Sequence, residues 1–286
     1  MLFVYPPSTL SDRAVTDCAS RCVQEAKKID FAGNKVHFTT SAGVETSESY
    51  NHLIVATGGV PNRLPVEGGK LDNIFVMRGI ADTSLIDAGQ SLSLAPEDHK
   101  LTIIAALGDA NDKKVVVVGS SFIGMESALA CSKRSASVSV IGMESVPFEK
   151  ILGKEVGVGI QKYHEAQSTK FYLDAALSHF VPSDTNPKAV GGVAMKDGSV
   201  IPCDVVVLGV GVKPATALLK ESGVELERDS SVVVDAHLRI KSVNNNVFAI
   251  GDIAKFPDGL TGELTRVEHW NVASVSLSSL PTRTAD

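Results

Sequence analysis

Residues 115–126 read Val-Val-Val-Val-Gly-Ser-Ser-Phe-Ile-Gly-Met-Glu. Apolar run, glycine turn and helix-like segment follow in the order of a dinucleotide-binding βαβ unit, whose chemistry is to hold a diphosphate. Gly119 makes the tight turn and Gly124 lets the helix pack on the strand. Between them Ser120, Ser121, Phe122 and Ile123 lead into a helix whose first N–H groups and positive dipole face the anion. Ser121 replaces the middle glycine of the fingerprint and sets a small side chain where backbone meets phosphate. A GxSxG nucleophile elbow fails on spacing, because the positions that need glycine hold Phe122 or Ile123. The next apolar run, Val138–Ile141, should end in an acid for the ribose hydroxyls, about 20 residues after the turn. Gly142 stands there, and the nearest acid is Glu144. No arginine follows closely to receive a 2′-phosphate, which favours NADH over NADPH.

These residues need a sheet to position them. The runs His52–Ala56, Val115–Val118, Val138–Ile141, Val205–Leu208 and Val247–Ile250 suit strands buried on both faces, as in parallel sheets. Gly58, Gly119, Gly209 and Gly251 stand at or just beyond four of their ends, where open α/β sheets bind ligands. Helices are predicted over Ser121–Arg134 and Lys154–Gln167. Antiparallel pieces are predicted for Asn34–Thr40 with Glu45–Tyr50, and for Val190–Lys196 with Ser199–Cys203 around an Asp197-Gly198 turn. Gln90–Lys113 reads as a linker or insertion, and Ser274–Asp286 as a Ser/Thr-rich end that does not pack.

The chain has 286 residues, 44% hydrophobic and 21% charged, enough for one large α/β domain or two smaller ones. Its net charge of -6 argues against nucleic acid as a partner. No apolar run reaches the roughly 18 residues of a transmembrane segment. The N-terminus carries no basic region before its apolar stretch and does not read as a signal peptide. Cys18, Cys22, Cys131 and Cys203 form neither a CxxC pair nor a metal array, and read as reduced thiols of a cytoplasmic protein.

Four motifs in order give the chain a resemblance to a known family. They are Leu53–Pro61 (LIVATGGVP), Val118–Glu126, Val205–Pro214 (VVVLGVGVKP) and Asn246–Asp252 (NVFAIGD), with Arg266–Ala273 (RVEHWNVA) behind them. The chain resembles the FAD-dependent pyridine nucleotide–disulfide oxidoreductases, in their apoptosis-inducing-factor-like and ferredoxin or rubredoxin reductase-like branch. The resemblance implies an NAD(P)-binding Rossmann domain at 111–213, inserted in an incomplete FAD-binding domain at 1–110 and 214–286. It implies Asp252 on the FAD ribityl chain, with Gly251 before it, and Thr57 and Gly58 near the flavin. Phe122 would cover the isoalloxazine or stack on nicotinamide, Glu126 would meet the carboxamide, and Gly211 would offer backbone to the nicotinamide end. Glu268, His269 and Trp270 would border the flavin.

The family opens with its own strand–GxGxxG–helix, whereas the first glycine here is Gly33. The CxxxxC redox pair and the C-terminal interface domain have no counterpart, so the chain reads as a truncated or divergent member. Weaker FAD binding and a raw sheet edge are the expected consequences. Three functions follow from these readings. One is a flavoprotein reductase passing electrons from NAD(P)H to a ferredoxin, a rubredoxin or a quinone. Another is a non-catalytic nucleotide-binding module lacking a complete FAD site. The third is a flavin-free dehydrogenase, for which no motif singles out an acid or base.

Overall fold

The computed structural model describes residues 2–5, 25–40, 42–76, 107 and 112–279. The chain forms two units: Met1–Val60 with Lys213–Asp286 is the outer one, and Pro61–Val212, inner in sequence, is the other.

The inner unit holds five parallel strands in the order Thr169–Tyr172, Ser137–Ile141, Lys114–Val118, Val205–Leu208, Ile74–Val76. Its β-branched runs are continuous because both faces are covered. Val115, Val117, Val138, Val140, Val205 and Val207 turn one way, onto Met125, Ala128 and Cys131 of the Phe122–Ser132 helix. Val116, Val118, Ile141, Val206 and Leu208 turn the other way, onto Phe180, Val193 and Ile201 of a three-stranded antiparallel sheet. Alternate residues thus serve opposite faces, as the two-residue strand period requires. The antiparallel sheet consists of Leu177–Pro182, Val190–Met195 and Val200–Pro202, the last two joined around the expected Asp197-Gly198 turn. From Lys114–Val118 the chain winds outward through two strands, then returns to Val205–Leu208 on the opposite side. The strand order therefore reverses between Val118 and Leu208, and open α/β sheets bind ligands at such a point.

In the outer unit His52–Val55 lies between Val247–Ala249, parallel to it, and Leu2–Tyr5, antiparallel to it. Leu53, Val55, Val247, Ala249 and Ile253 are fully buried there. Glu25–Asp30, Lys35–Thr39 and Glu45–Ser49 form a separate antiparallel meander.

Three expectations change. The inner unit begins at Pro61 rather than at residue 111, since Ile74–Val76 joins its sheet beside Val205–Leu208. The second helix runs Glu149–Glu165 rather than from Lys154, with non-helical backbone at Gly153 (φ 80°, ψ 167°). The Ser-rich end is helical from Trp270 to Ser279, and Ser276 is buried. That helix continues because the N–H groups of Val272 and Ala273 bond back to the His269 carbonyl. Cys18, Cys22 and most of Gln90–Lys113 lie outside the described residues. No helix among the described residues is long and apolar enough to cross a membrane.

Candidate functional site

At the switch point of the inner sheet the chain leaves Val118 through Gly119, at φ +111°. L-residues with a side chain rarely adopt that backbone conformation. A Cβ on Gly119 would also stand 2.7 Å from the carbonyl carbon of Gly209, and one on Gly124 would stand 2.8 Å from that of Gly119. The turn thus passes between a strand end and a helix with no room for side chains. Backbone bonds fix it: Gly119 N–H donates to Ile141 O and Gly209 N–H to Val118 O, each at 2.8 Å. Ser121 is the extended residue before the Phe122–Ser132 helix, and its hydroxyl makes no cap. The first turn of that helix contains no acidic residue. Its leading N–H groups and dipole suit an anion from outside the helix.

A cleft of about 490 Å³ opens at these strand ends. Gly119, Ser120, Ser121, Glu144, Gly209 and Gly211 line it, with Phe148, Glu149, Lys150 and Lys196. That volume suits a ligand of nucleotide size. Glu144 is one of two acids lining the cleft, and both of its oxygens are engaged. Ser120 Oγ donates to Oε2 at 3.1 Å, and Lys150 Nζ lies 3.0 Å from Oε1. Partial burial pushes its pKa up, but the Lys150 ammonium, its own backbone N–H and the Ser120 hydroxyl outweigh that and hold it below the usual carboxylate range.

Other expected residues stand elsewhere. Phe122 is not among the cleft-lining residues; its ring meets Phe148 edge-on, with centroids 4.9 Å apart. Ile123 packs on the same core cluster. Glu126 is exposed on the helix. Lys150 was missed because the helix carrying it was expected to begin beyond it. Its only sequence signal is a cation six positions after the acid.

The remaining candidates belong to the outer unit. Thr57 Oγ1 donates to Ala215 O, and Ala215 N–H donates to Gly58 O, both at 2.7 Å. Gly251 and Asp252 open a 3₁₀ turn after Val247–Ala249. Arg266 braces that turn: Nη1 donates to Asp252 O at 3.2 Å, Nε meets Asp229 Oδ2 at 3.3 Å, and Glu268 accepts from Nη1. His269 accepts the Asn271 N–H on Nδ1 at 3.2 Å and so caps the helix that begins at Trp270. These residues could hold part of an FAD, but the described outer unit does not fit the whole of it. Gly251 has no crossing backbone against it, only Ala273 Cβ at 3.6 Å from a built Cβ. Gly33 and Gly43 occupy or flank hairpin turns, and no strand–glycine turn–helix is present among the outer unit's described residues.

A parallel sheet whose strand order reverses at a glycine turn, with a helix start that carries no acidic residue and a cleft holding Glu144, defines a Rossmann-type dinucleotide-binding protein. Residues 10–276 match the profile of the pyridine nucleotide-disulphide oxidoreductases. The chain belongs to that family. It is 30% identical over 246 residues to human apoptosis-inducing factor 3, covering 86% of this chain and 36% of that protein. It is 31% identical to the peroxisomal monodehydroascorbate reductase 4 of Arabidopsis thaliana, covering 80% and 43%. The chain thus spans less than half the length of either relative. A ferredoxin reductase from Rhodopseudomonas palustris superposes with a TM-score of 0.75 over 96% of this chain and 62% of that one, at 23% identity.

Proposed function

We propose that the chain acts as an FAD-dependent NAD(P)H oxidoreductase whose inner unit holds the nucleotide. The observation that carries this reading is the Gly119–Gly124 turn at the switch point, beside a cleft lined by Ser120, Ser121 and Glu144. The diphosphate lies at the start of the Phe122–Ser132 helix, the adenosine ribose at Glu144, and the nicotinamide end near Gly211. Bound FAD would supply the hydride-accepting chemistry, after which electrons leave for an acceptor such as a ferredoxin, a rubredoxin or a quinone. Alignment and exclusion of water carry such a transfer, so no acid–base constellation is required. In the outer unit, Thr57, Gly58, Gly251 and Asp252 serve the flavin side. Glu268, His269 and Trp270 stand at the start of the last helix. Free, buried Cys131 and Cys203 suit a reducing compartment such as the cytoplasm.

A second reading, a nucleotide-binding module with an incomplete FAD site, is favoured by one observation. The described outer unit has no diphosphate turn of its own. Absorption spectroscopy separates the two. The reductase reading expects a flavin band in the purified protein, or its appearance on adding FAD, together with bleaching by NADH. Absence of any flavin uptake, with NADH still binding, leaves the module reading standing and removes the reductase one.

A further inference from the structure

Beyond the break at Gly153 the Glu149–Glu165 helix runs on from Lys154, and its residues divide into two faces. Gly157 and His164 are buried on one, with Ile160 half-buried beside them. The other face carries Val156, Gly159 and Tyr163, spaced three and four residues apart as a single helical stripe requires. Val156 is 49% exposed and Tyr163 57%. The two glycines of this stretch have different causes. A Cβ on Gly157 would run into the Pro147 carbonyl and the Val146 side chain, so packing within the chain demands glycine there. A Cβ on Gly159 would meet nothing within 4 Å beyond its own stretch of helix. A helix interior disfavours glycine through backbone entropy, and no neighbour within the chain requires one at 159. On an open apolar face, a glycine permits the close approach of a second helix.

Charge identifies that second helix. Glu155 and Lys162 are exposed, stand two turns apart and border the stripe on the same side. Neither has an ion-pair partner among the described residues. We propose that this face pairs with the same face of a second copy of the chain, the two helices antiparallel and crossing at Gly159. Two-fold symmetry about that crossing brings residues after Gly159 level with those before it. Glu155 of each copy then comes within one residue, about 1.5 Å along the axis, of the level of Lys162 in the other. Val156 and Tyr163 meet in the same way, and both pairings form twice. The Tyr163 ring is the anchor, seated over Val156 and beside the open Gly159. A parallel pair would instead set Glu155 beside Glu155 and Lys162 beside Lys162, and like charges at that spacing repel. An acidic or basic foreign helix satisfies only one of the two charges, whereas a second copy satisfies both. The stripe is short, so the pairing is weak, with a dissociation constant of about 10–100 µM. No nucleotide enters this contact.

The test is sedimentation velocity of the full chain over about 1–300 µM, a range that brackets the expected dissociation constant. Wild type should pass from monomer to dimer across it. Gly159→Arg sets two bulky cations against each other at the crossing and should weaken association by at least about tenfold. It should melt no lower than wild type at the lowest concentration, because the new side chain enters open space and helix propensity rises. Glu155→Lys should weaken the dimer about tenfold, and Glu155→Lys combined with Lys162→Glu should restore it, since the exchanged charges again face their opposites. A wild type that stays monomeric over the whole range overturns the pairing and leaves the face to a different protein. A dimer that survives Gly159→Arg unchanged places the contact on another surface and overturns it as well. A combined variant no better than Glu155→Lys alone overturns the antiparallel register.

Discussion

Gly119 and Gly209 meet across the switch point of the inner sheet so closely that a Cβ on Gly209 would fall 2.7 Å from the Gly124 nitrogen, and one on Gly119 would fall 2.7 Å from the Gly209 carbonyl carbon. Two strand ends and a helix start are packed backbone to backbone there. A methyl group at 119 must move one of them and also occupy φ +111°. Gly119→Ala should cost roughly 2–4 kcal/mol of stability, and NADH affinity should fall by about a hundredfold. Urea unfolding and NADH titration of the same preparation check both, and unchanged affinity would remove the turn from the binding site.

Glu144 gives a pH prediction. Its folded-state pKa lies below the ordinary 4.5, with burial opposing and Lys150 and Ser120 prevailing. A depressed carboxylate contributes stability that is complete above its unfolded pKa and is lost as pH falls through the folded one. Wild type and Glu144→Gln should therefore differ in melting temperature at pH 7 and converge in acid, below about pH 4. A constant difference from pH 7 to pH 3 would contradict the assignment.

Arg266 ties Asp229, Glu268 and the Asp252 carbonyl together. Arg266→Met should cost about 1–2 kcal/mol, because the Asp252 carbonyl and Asp229 each lose a donor. If the outer unit takes up flavin, the same variant should hold less of it, measured as absorbance per protein. A variant with wild-type stability and flavin content would show that the brace is idle.

Burial pushes the Cys131 thiol to about 11, and burial with the Asp204 charge pushes Cys203 to about 12. Both should resist alkylation at pH 8 in the folded protein and react after unfolding in urea. Peptide mass mapping reads this directly, and rapid modification of either thiol in the native state would contradict its burial.

Much of the inner sheet is legible in the sequence, because Val115–Val118 and Val205–Leu208 are buried on both faces and must be apolar throughout. The Gly119–Gly124 turn is legible for a steric reason, since only glycine fits three crossing backbones. Ile74–Val76 is not: three residues give no period, and what makes them a strand is an open edge on Val205–Leu208 that lies far away in sequence. Phe122 reads as a ligand-facing aromatic by its place in the motif. Its ring also meets Phe148 edge-on, and the left-handed backbone of Phe148 starts the next helix. Lys150 is hidden for the same reason, since that early start and the break at Gly153 interrupt the helical pattern around it.

The most direct test of the account is Ser121→Asp. Ser121 precedes the Phe122–Ser132 helix, where aspartate is a favoured cap and complements the dipole, so folding is preserved or improved. A carboxylate there would also meet the dinucleotide diphosphate. Scanning calorimetry should show a melting temperature at or above wild type, and isothermal titration with NADH an affinity lower by at least about tenfold. Wild-type NADH affinity in a well-folded Ser121→Asp protein would contradict a diphosphate bound at this helix start.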